Sequence, residues 1–574
     1  MKSATAAMVL SAPFVLSAPF VLSAPLVLGG FGAAYAAASP AATVDGAAQL
    51  AAELNAGTCQ PFATFSVSLR CQWQGQISVT PLSDHYGVDV PGAVAILGGG
   101  RTNTERLIDL GTVRLEMWPQ ADGGLDFFLA LPATLVLADK AGKPEMQIAL
   151  GSQKIEGHWD GATHTVTQLN ANAGTLRVTA QAAPYAITIG SAGLTLALAE
   201  AQPGRWSGPA ALTLGTLALV APDGGELLHL GSASLDGRVT GLDMALAVTR
   251  RAQSLAAAEQ ALAQTSASAA ASASAAAPPA PVPAGPASGP NKLRLGDGDA
   301  AKKRLWTTAR HYLSRVHDLF DGASAGVHLT DLSVKIPMAD MSVTLGKFDY
   351  QTSVEGLEQG KSKLSVTYGH GPLVVTPAPA LQDFLPKAAR FSLTAVGLPN
   401  EGLWQAANRA LPPEGLAGDQ VFKVFLAEAD DALTKAGARL TIDTLGIDTP
   451  ATTVNLVGEA QYDAAATMGM VAACDMVIRG FDAALKALQP APGAPNTLSE
   501  ETKSVLSALV MVQVMGLPAK DDAGREARTY KLQIANTGGI MLNGADITML
   551  VQALRDRLGR HAPPTGAVPR SGGG

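Results

Sequence analysis

Residues 322–326, Gly322-Ala323-Ser324-Ala325-Gly326, match the G-x-S-x-G pattern of a serine nucleophile. That chemistry needs a strand before the serine and a helix after it, so that a strained turn exposes the hydroxyl. Here the order is reversed, with a helical pattern before and a strand pattern after, and a loop is expected. Gly98-Gly99-Gly100-Arg101 follows an apolar run but lacks the spacing of a dinucleotide or phosphate loop, so it reads as a turn. The nine histidines are scattered, and none stands in an H-E-x-x-H or H-x-H arrangement with ligand spacing. His158 and His164 flank Trp159-Asp160, which reads as an exposed hairpin rather than a metal site. Asp297 and Asp299 form a lone D-G-D, too little for a calcium loop. Glu428, Asp430 and Asp431 read as the acidic face of a helix. No catalytic residue, cofactor or metal ligand is assigned. A triad assembles in space, so linear spacing tests local motifs only.

The chain has three cysteines. Cys59 and Cys71 lie close together on either side of a strand-like run. In an oxidising compartment they would close a small loop, worth about 3 kcal/mol in the loop-entropy view; the alternative is two buried thiols. Cys474 reads as a core thiol.

The compartment follows from the first residues. Lys2 is the only charge before Asp45, and three copies of one apolar hexapeptide run from Ser11 to Leu28. Ala34-Tyr35-Ala36 has the form of a signal-peptidase site. Residues 1–38 therefore read as a signal peptide with an expanded apolar region. An uncleaved membrane anchor is the rival, weakened by Pro13, Pro19 and Pro25. Both readings put the remainder outside the cytoplasm, periplasmic or exported. The net charge of -7 disfavours nucleic acid as a partner.

Alternating apolar residues then dominate, the mark of half-buried strands. Phe65, Val67, Leu69, Cys71 and Trp73 share one side, as do Val113, Leu115 and Met117. Leu135 and Leu137 are joined by Asp139-Lys140-Ala141-Gly142 to Met146, Ile148 and Leu150, a predicted hairpin. Leu176 with Val178, Leu212 with Leu214, and Leu217 with Leu219 suggest three further strands. Asp160-Gly161, Asp223-Gly224-Gly225 and Asp236-Gly237 read as turns between strands. Residues 45–250 thus form an expected β-rich domain. Residues 251–299 open on a helical stretch and become almost pure Ala, Ser, Pro and Gly, the composition of a flexible linker.

A second β-rich domain with helices is expected over 300–560, followed by a disordered tail at 561–574. It opens on an amphipathic helix over 300–320, with Leu305, Ala309, Leu313, Val316 and Phe320 on one stripe. Strands follow at Met341, Val343 and Leu345; at Phe348 and Tyr350; at Leu364, Val366 and Tyr368; at Leu440 and Ile442; and at Tyr530, Leu532 and Ile534. A strand, a glycine turn and an apolar helix recur three times, after Gly397, Gly480 and Gly544. A helix over 498–515 is opened by the capping pair Thr497 and Glu500. The expected fold is mainly β with peripheral helices: extended, twisted, largely antiparallel sheet with amphipathic strands, flanked by short helices.

Two stretches carry a resemblance. Cys59-Gln60-Pro61-Phe62, leading through Val67 to Cys71, resembles the opening of uncharacterised alphaproteobacterial envelope proteins. Val454 to Gly458, Met470 to Arg479 and the helix from Gly480 to Leu485 resemble the same group, and the arrangement is similar to AsmA-like and YdgA-like periplasmic proteins. The resemblance implies an elongated β-structure in envelope maintenance, some members of the group handling lipid. It carries no catalytic residues to transfer.

The functional expectation is a non-enzymatic envelope protein with a structural or maintenance role. Its partners would be membrane lipids, bound along an apolar β-groove, or another envelope protein. The alternatives are an extracytoplasmic hydrolase with a dispersed site and a two-domain interaction module.

Overall fold

In the computed structural model, residues 41–56, 62–63, 67–99, 106–139, 141–163, 165–181, 183–247, 249, 318–379, 382–410, 418–488, 500–521 and 524–549 are described. The signal segment, Cys59, His164, the Ala/Ser/Pro segment, Asp297 and Asp299, most of the expected helix at 300–320 and the tail lie outside them. The chain is mainly β, largely antiparallel, with a few helices. It divides into two units, the first reaching Ser342 and the second made chiefly of Val343–Thr352, Gly360–Ala410 and Phe422 onwards.

The first described element of the first unit is a helix that the sequence reading did not foresee, α1 (Val44–Ala56). The Thr43 Oγ1 accepts from the Gly46 amide at 3.0 Å, capping its first turn. Ala47 and Leu50, one helical turn apart, are buried against Ile77, Tyr86 and Val88. Asn55 locks the far end: its side-chain amide donates to the Ile77 carbonyl, and its oxygen accepts from the Ile77 amide, both at 2.9 Å.

The strands are β1 (Phe62–Ala63), β2 (Val67–Gln72), β3 (Ser78–Pro81), β4 (Tyr86–Gly99), β5 (Arg106–Pro119), β6 (Leu125–Ala130), β7 (Thr134–Asp139), β8 (Pro144–Leu150), β9 (Gln153–Asp160), β10 (Thr165–Ala180), β11 (Ala183–Ala197), β12 (Ala199–Gln202), β13 (Arg205–Val220), β14 (Glu226–Asp243) and β15 (Gly322–Ile336). Every pairing is antiparallel. The run β1–β2–β4–β5 meets a fork, where β6 and β7 share the length of β5. They pair with β9 and β8, which both lie along β10. From there the order is β10–β11–β13–β14–β15. The 18 residues of β14 span about 60 Å.

The hairpin expected at Leu135–Leu150 is present, with Leu135 opposite Ile148 and Leu137 opposite Met146. Three expectations change. Leu212, Leu214, Leu217 and Leu219 belong to one strand, β13. Asp236-Gly237 lies inside β14, opposite Ala211 and Ala210, because the ladders on both sides satisfy its backbone and no reversal is needed. Gly322–Gly326 is not a loop but the start of β15, in register with Thr240 to Asp236.

In the second unit, the strands are β16 (Met341–Glu355, of which Val343–Thr352 belongs here), β17 (Lys361–His370), β18 (Leu373–Thr376), β19 (Ala388–Pro399), β20 (Arg439–Asp448), β21 (Thr453–Tyr462), β22 (Met470–Arg479), β23 (Leu517–Lys520), β24 (Glu526–Ile534), β25 (Ile540–Leu542) and β26 (Ala545–Asp546). Their antiparallel order is β17–β19–β20–β21–β22–β24–β25–β26, with β23 also on β24. Four helices are interspersed: α2 (Asn400–Ala410), α3 (Gly418–Ala436), α4 (Phe481–Ala487) and α5 (Glu500–Met515). The first two strand–glycine–helix repeats are present, as β19–α2 and β22–α4. Gly480 enters α4 with φ +83, a conformation that favours glycine. At the third, β25 and β26 form a short pair around Gly544, and most of the expected helix at 547–558 lies outside the described residues.

Candidate functional site

Following the registers of the first unit sideways, strand to strand, brings aliphatic side chains into straight rows. One row reads Val88, Leu115, Leu129, Ile155, Ala171, Leu194, Leu212, Leu235 and Val327, each directly opposite the next. A second reads Leu135, Ile148, Val178, Ile187, Leu219, Leu228 and Val334. Beside it run Leu150, Leu176, Ile189, Leu217 and Leu230. Cross-strand neighbours of this kind are the unit of sheet packing.

Between the two ladders the apolar parity changes. On β10 the aliphatic positions are 169, 171 and 173 before the change and 176 and 178 after it. On β11 they are 196, 194 and 192, then 189 and 187. The step is odd and the register on either side is the same, so alternation assigns the two ladders to opposite faces. β13 and β14 repeat the same odd step between Leu214 and Leu217 and between Ala233 and Leu230. The change is marked by a belt of small residues: Gly151-Ser152, Gly174-Thr175, Gly190-Ser191, Gly215-Thr216 and Gly231-Ser232. Because the strands are antiparallel, each glycine falls beside a hydroxyl residue of the next strand. Gly174 faces Ser191, and Gly215 faces Ser232. A Cβ placed on Gly174 would lie 2.5 Å from Ser152 Oγ, and one on Gly215 closer still to Ser191 Oγ. Both near atoms are serine hydroxyls and the next neighbours lie at 3.4 Å or beyond, so a larger side chain there requires the serines to turn aside.

The two ladders differ in what covers them. The first enters a buried cluster at Val88 and Leu115, and a second cluster lies on the same face beside it, while its middle from Leu129 to Leu194 is half-buried and Leu212 is 36% exposed. One joins α1 to Val88, Met117, Phe127, Trp159 and Val166. The other gathers Leu196, Trp206, Val239, Leu242, Met244 and Phe320, with Met244 only 2% exposed. The second ladder enters neither cluster. Its side chains are half-buried, apart from buried Leu230. This is an aliphatic strip without a charged or aromatic residue in the two rows.

The second unit has a row of its own: Val366, Leu393, Ile442, Gly458, Cys474, Leu532 and Leu542. Cys474 is a free thiol, half-buried rather than at the centre of a core. Burial pushes its pKa up, and the Asp475 carboxylate adds to the effect.

The residues singled out by type are placed apart. Cys71 lies in β2 opposite Ala95, and its partner Cys59 is outside the described residues. Ser324 pairs opposite Arg238 within the ladder, so no strand-to-helix elbow presents it. His158 sits between two carboxylates, with Nδ1 2.7 Å from Asp126 and Nε2 3.5 Å from Asp122. His328 Nε2 lies 2.9 Å from Asp236. Among the described residues no three His, Cys, Asp or Glu side chains converge on a common ion position. Glu428 and Asp431 on α3 are ion-paired, to Arg409 at 2.5 Å and Lys435 at 2.7 Å. They line a cleft of about 460 Å³ between α2 and α3, together with Gln405 and Gly402. Asp430 instead adds to the upward shift of the Tyr462 hydroxyl, which is due first to burial.

The sequence reading missed the ladders as sites, though their residues were its strand markers. The signal was the odd step itself, a Gly-Ser or Gly-Thr pair inside β10, β11, β13 and β14. No helix among the described residues is long and apolar enough to cross a membrane. Compared with family models, curated proteins and solved structures, the chain finds no match.

Proposed function

We propose that this chain is a non-enzymatic, exported cell-envelope protein that holds acyl chains along the half-exposed ladder of its first unit. The carrying observation is the row from Leu135 to Val334, seven aliphatic side chains in register with no buried cluster over them. Six inter-strand spacings make it about 29 Å long. A lipid tail fills about half of a ~30 Å hydrocarbon core, so the row offers length for one or two tails end to end. Each methylene taken from water onto it contributes about 0.8 kcal/mol. The apolar leader with Ala34-Tyr35-Ala36 supports a periplasmic or exported location, with tethering to the inner membrane if the leader is retained. An oxidising compartment supports a Cys59–Cys71 disulfide, which non-reducing peptide mapping tests. The role fits the envelope maintenance implied by the likeness to AsmA-like proteins.

The deciding experiment is native mass spectrometry of the mature protein before and after delipidation. Co-purified lipid, lost on extraction and restored by added fatty acid, is expected. A protein that carries no lipid and takes up none would overturn the reading.

A further inference from the structure

In the second unit, α5 is apolar on every side. From Val505 to Met515 only Ser507 and Gln513 are polar, and no charge occurs between Lys503 and Lys520. A helix of that composition is ordinarily buried all round. One side of α5 is held to the sheet, where the Tyr530 hydroxyl donates to the Val512 carbonyl at 2.7 Å. The other side is open. Val510, Met511 and Val514, at helical spacing on one face, are exposed, Val514 to 76%, and exposed Leu517 extends the face beyond the helix end.

The described chain ends beside this face. Asn543, in the turn between β25 and β26, donates to the Met515 carbonyl at the end of α5, at 2.9 Å. A new helix opens a few residues later. Asp546 Oδ1 accepts from the Thr548 amide at 2.9 Å, an N-cap, and the Ile547 amide donates to the Ile540 carbonyl at 2.8 Å. From there the sequence sets Ile547, Leu550, Val551, Leu554 and Leu558 on one helical stripe, with Gln552, Arg555 and Asp556 between them. Ile547, the first of the stripe, is half-buried. Met549, across the helix from it, is 77% exposed. At helical rise 547–558 spans about 17 Å, and 507–517 about 15 Å.

We infer that the occupant of the open α5 face is the chain's own segment 550–558, laid on Val510, Met511 and Val514 as a helix. The stripe starts within a few residues of the face, equals it in length and supplies aliphatic side chains to an aliphatic surface. Being tethered there, it competes at high effective concentration with any outside partner.

The test is the alkylation rate of a thiol placed by Val514→Cys in the full mature chain, mapped by peptide mass spectrometry. Ending the chain after Met549 is expected to speed reaction at position 514 at least about tenfold. Native Cys474 serves as the reference for an intact second unit, and its rate should not change. Should truncation also expose Cys474, the full-length variants decide: Leu550→Gln with Leu554→Gln should speed position 514 equally, and Asp556→Asn should not. An unchanged rate in the Leu550→Gln, Leu554→Gln chain overturns the assignment. So does protection at position 514 that varies with protein concentration, which gives the face to a second copy. Protection gained only on adding phosphatidylglycerol vesicles gives it to a membrane and likewise overturns it.

Discussion

The two ladders of the first unit are made of the same few residue types, in the same strands, a short distance apart. One enters a cluster covered by α1 at Val88 and Leu115 but is half-buried along its middle, with Leu212 36% exposed, and the other enters no cluster and is half-buried apart from Leu230. Aliphatic character alone therefore does not distinguish a core from a binding strip. What distinguishes them is whether another element is laid on top. The covered end of the first ladder stabilises the fold, and the second, which enters no buried cluster, retains apolar surface in contact with water, which rarely persists over a large patch without a use.

Predictions follow that would break or sharpen this contrast. Phe127→Ala, in the sealed cluster, is expected to cost about 3–5 kcal/mol in denaturant unfolding of the unit. Ile187→Ala on the open ladder should cost no more than about 1–2 kcal/mol, since its side chain is already partly solvated. Equal losses would mean that the second ladder is also core. At the belt, Gly215→Val must turn the Ser191 hydroxyl aside and should destabilise by about 1 kcal/mol. Gly190→Val should cost clearly less, because its nearest contact, Thr216 Cβ, is at an ordinary 3.6 Å. Reversal of that order would show that the belt is not the tight line inferred from its glycines.

Val178→Asn with Ile187→Asn should reduce fatty-acid binding about tenfold, with the thermal midpoint falling no further than for Phe127→Ala. A large fall in the midpoint with binding retained would reverse the roles of the two ladders. The smallest effect concerns the second unit. Burial disfavours the charged thiolate, so the Cys474 pKa lies above its ordinary value of about 8.5. At that pH its thiolate fraction is below that of a free cysteine. Alkylation should be slower in the folded chain than in the unfolded one and should accelerate as pH rises further. Equal rates would show that the row around Cys474 is as open as solvent.

How much of this was legible in the sequence depends on the distance over which a signal acts. The hairpin from Leu135 to Leu150 was legible to the register, because period-two alternation and Asp139–Gly142 are both local. Leu212 to Leu219 was legible as strand but not as one strand, since the parity change at Gly215-Thr216 looks like a break when neighbouring strands are not in view. Asp236-Gly237 looked like a turn for the same reason: its composition favours reversal, and only β13 and β15 on either side hold it extended. The helix α1 was overlooked, although Thr43, Asp45, Ala47 and Leu50 are its cap, first-turn acid and buried stripe.

By itself the sequence determined the strand content, since apolar residues at every second position leave an extended chain as the way to gather them on one side. It also placed a glycine–hydroxyl pair inside each of β10, β11, β13 and β14. Tertiary structure alone decided which part of the apolar surface was covered. That depends on where α1, Trp206 and Phe320 come to rest, and burial by a remote segment leaves no mark on the residues it covers.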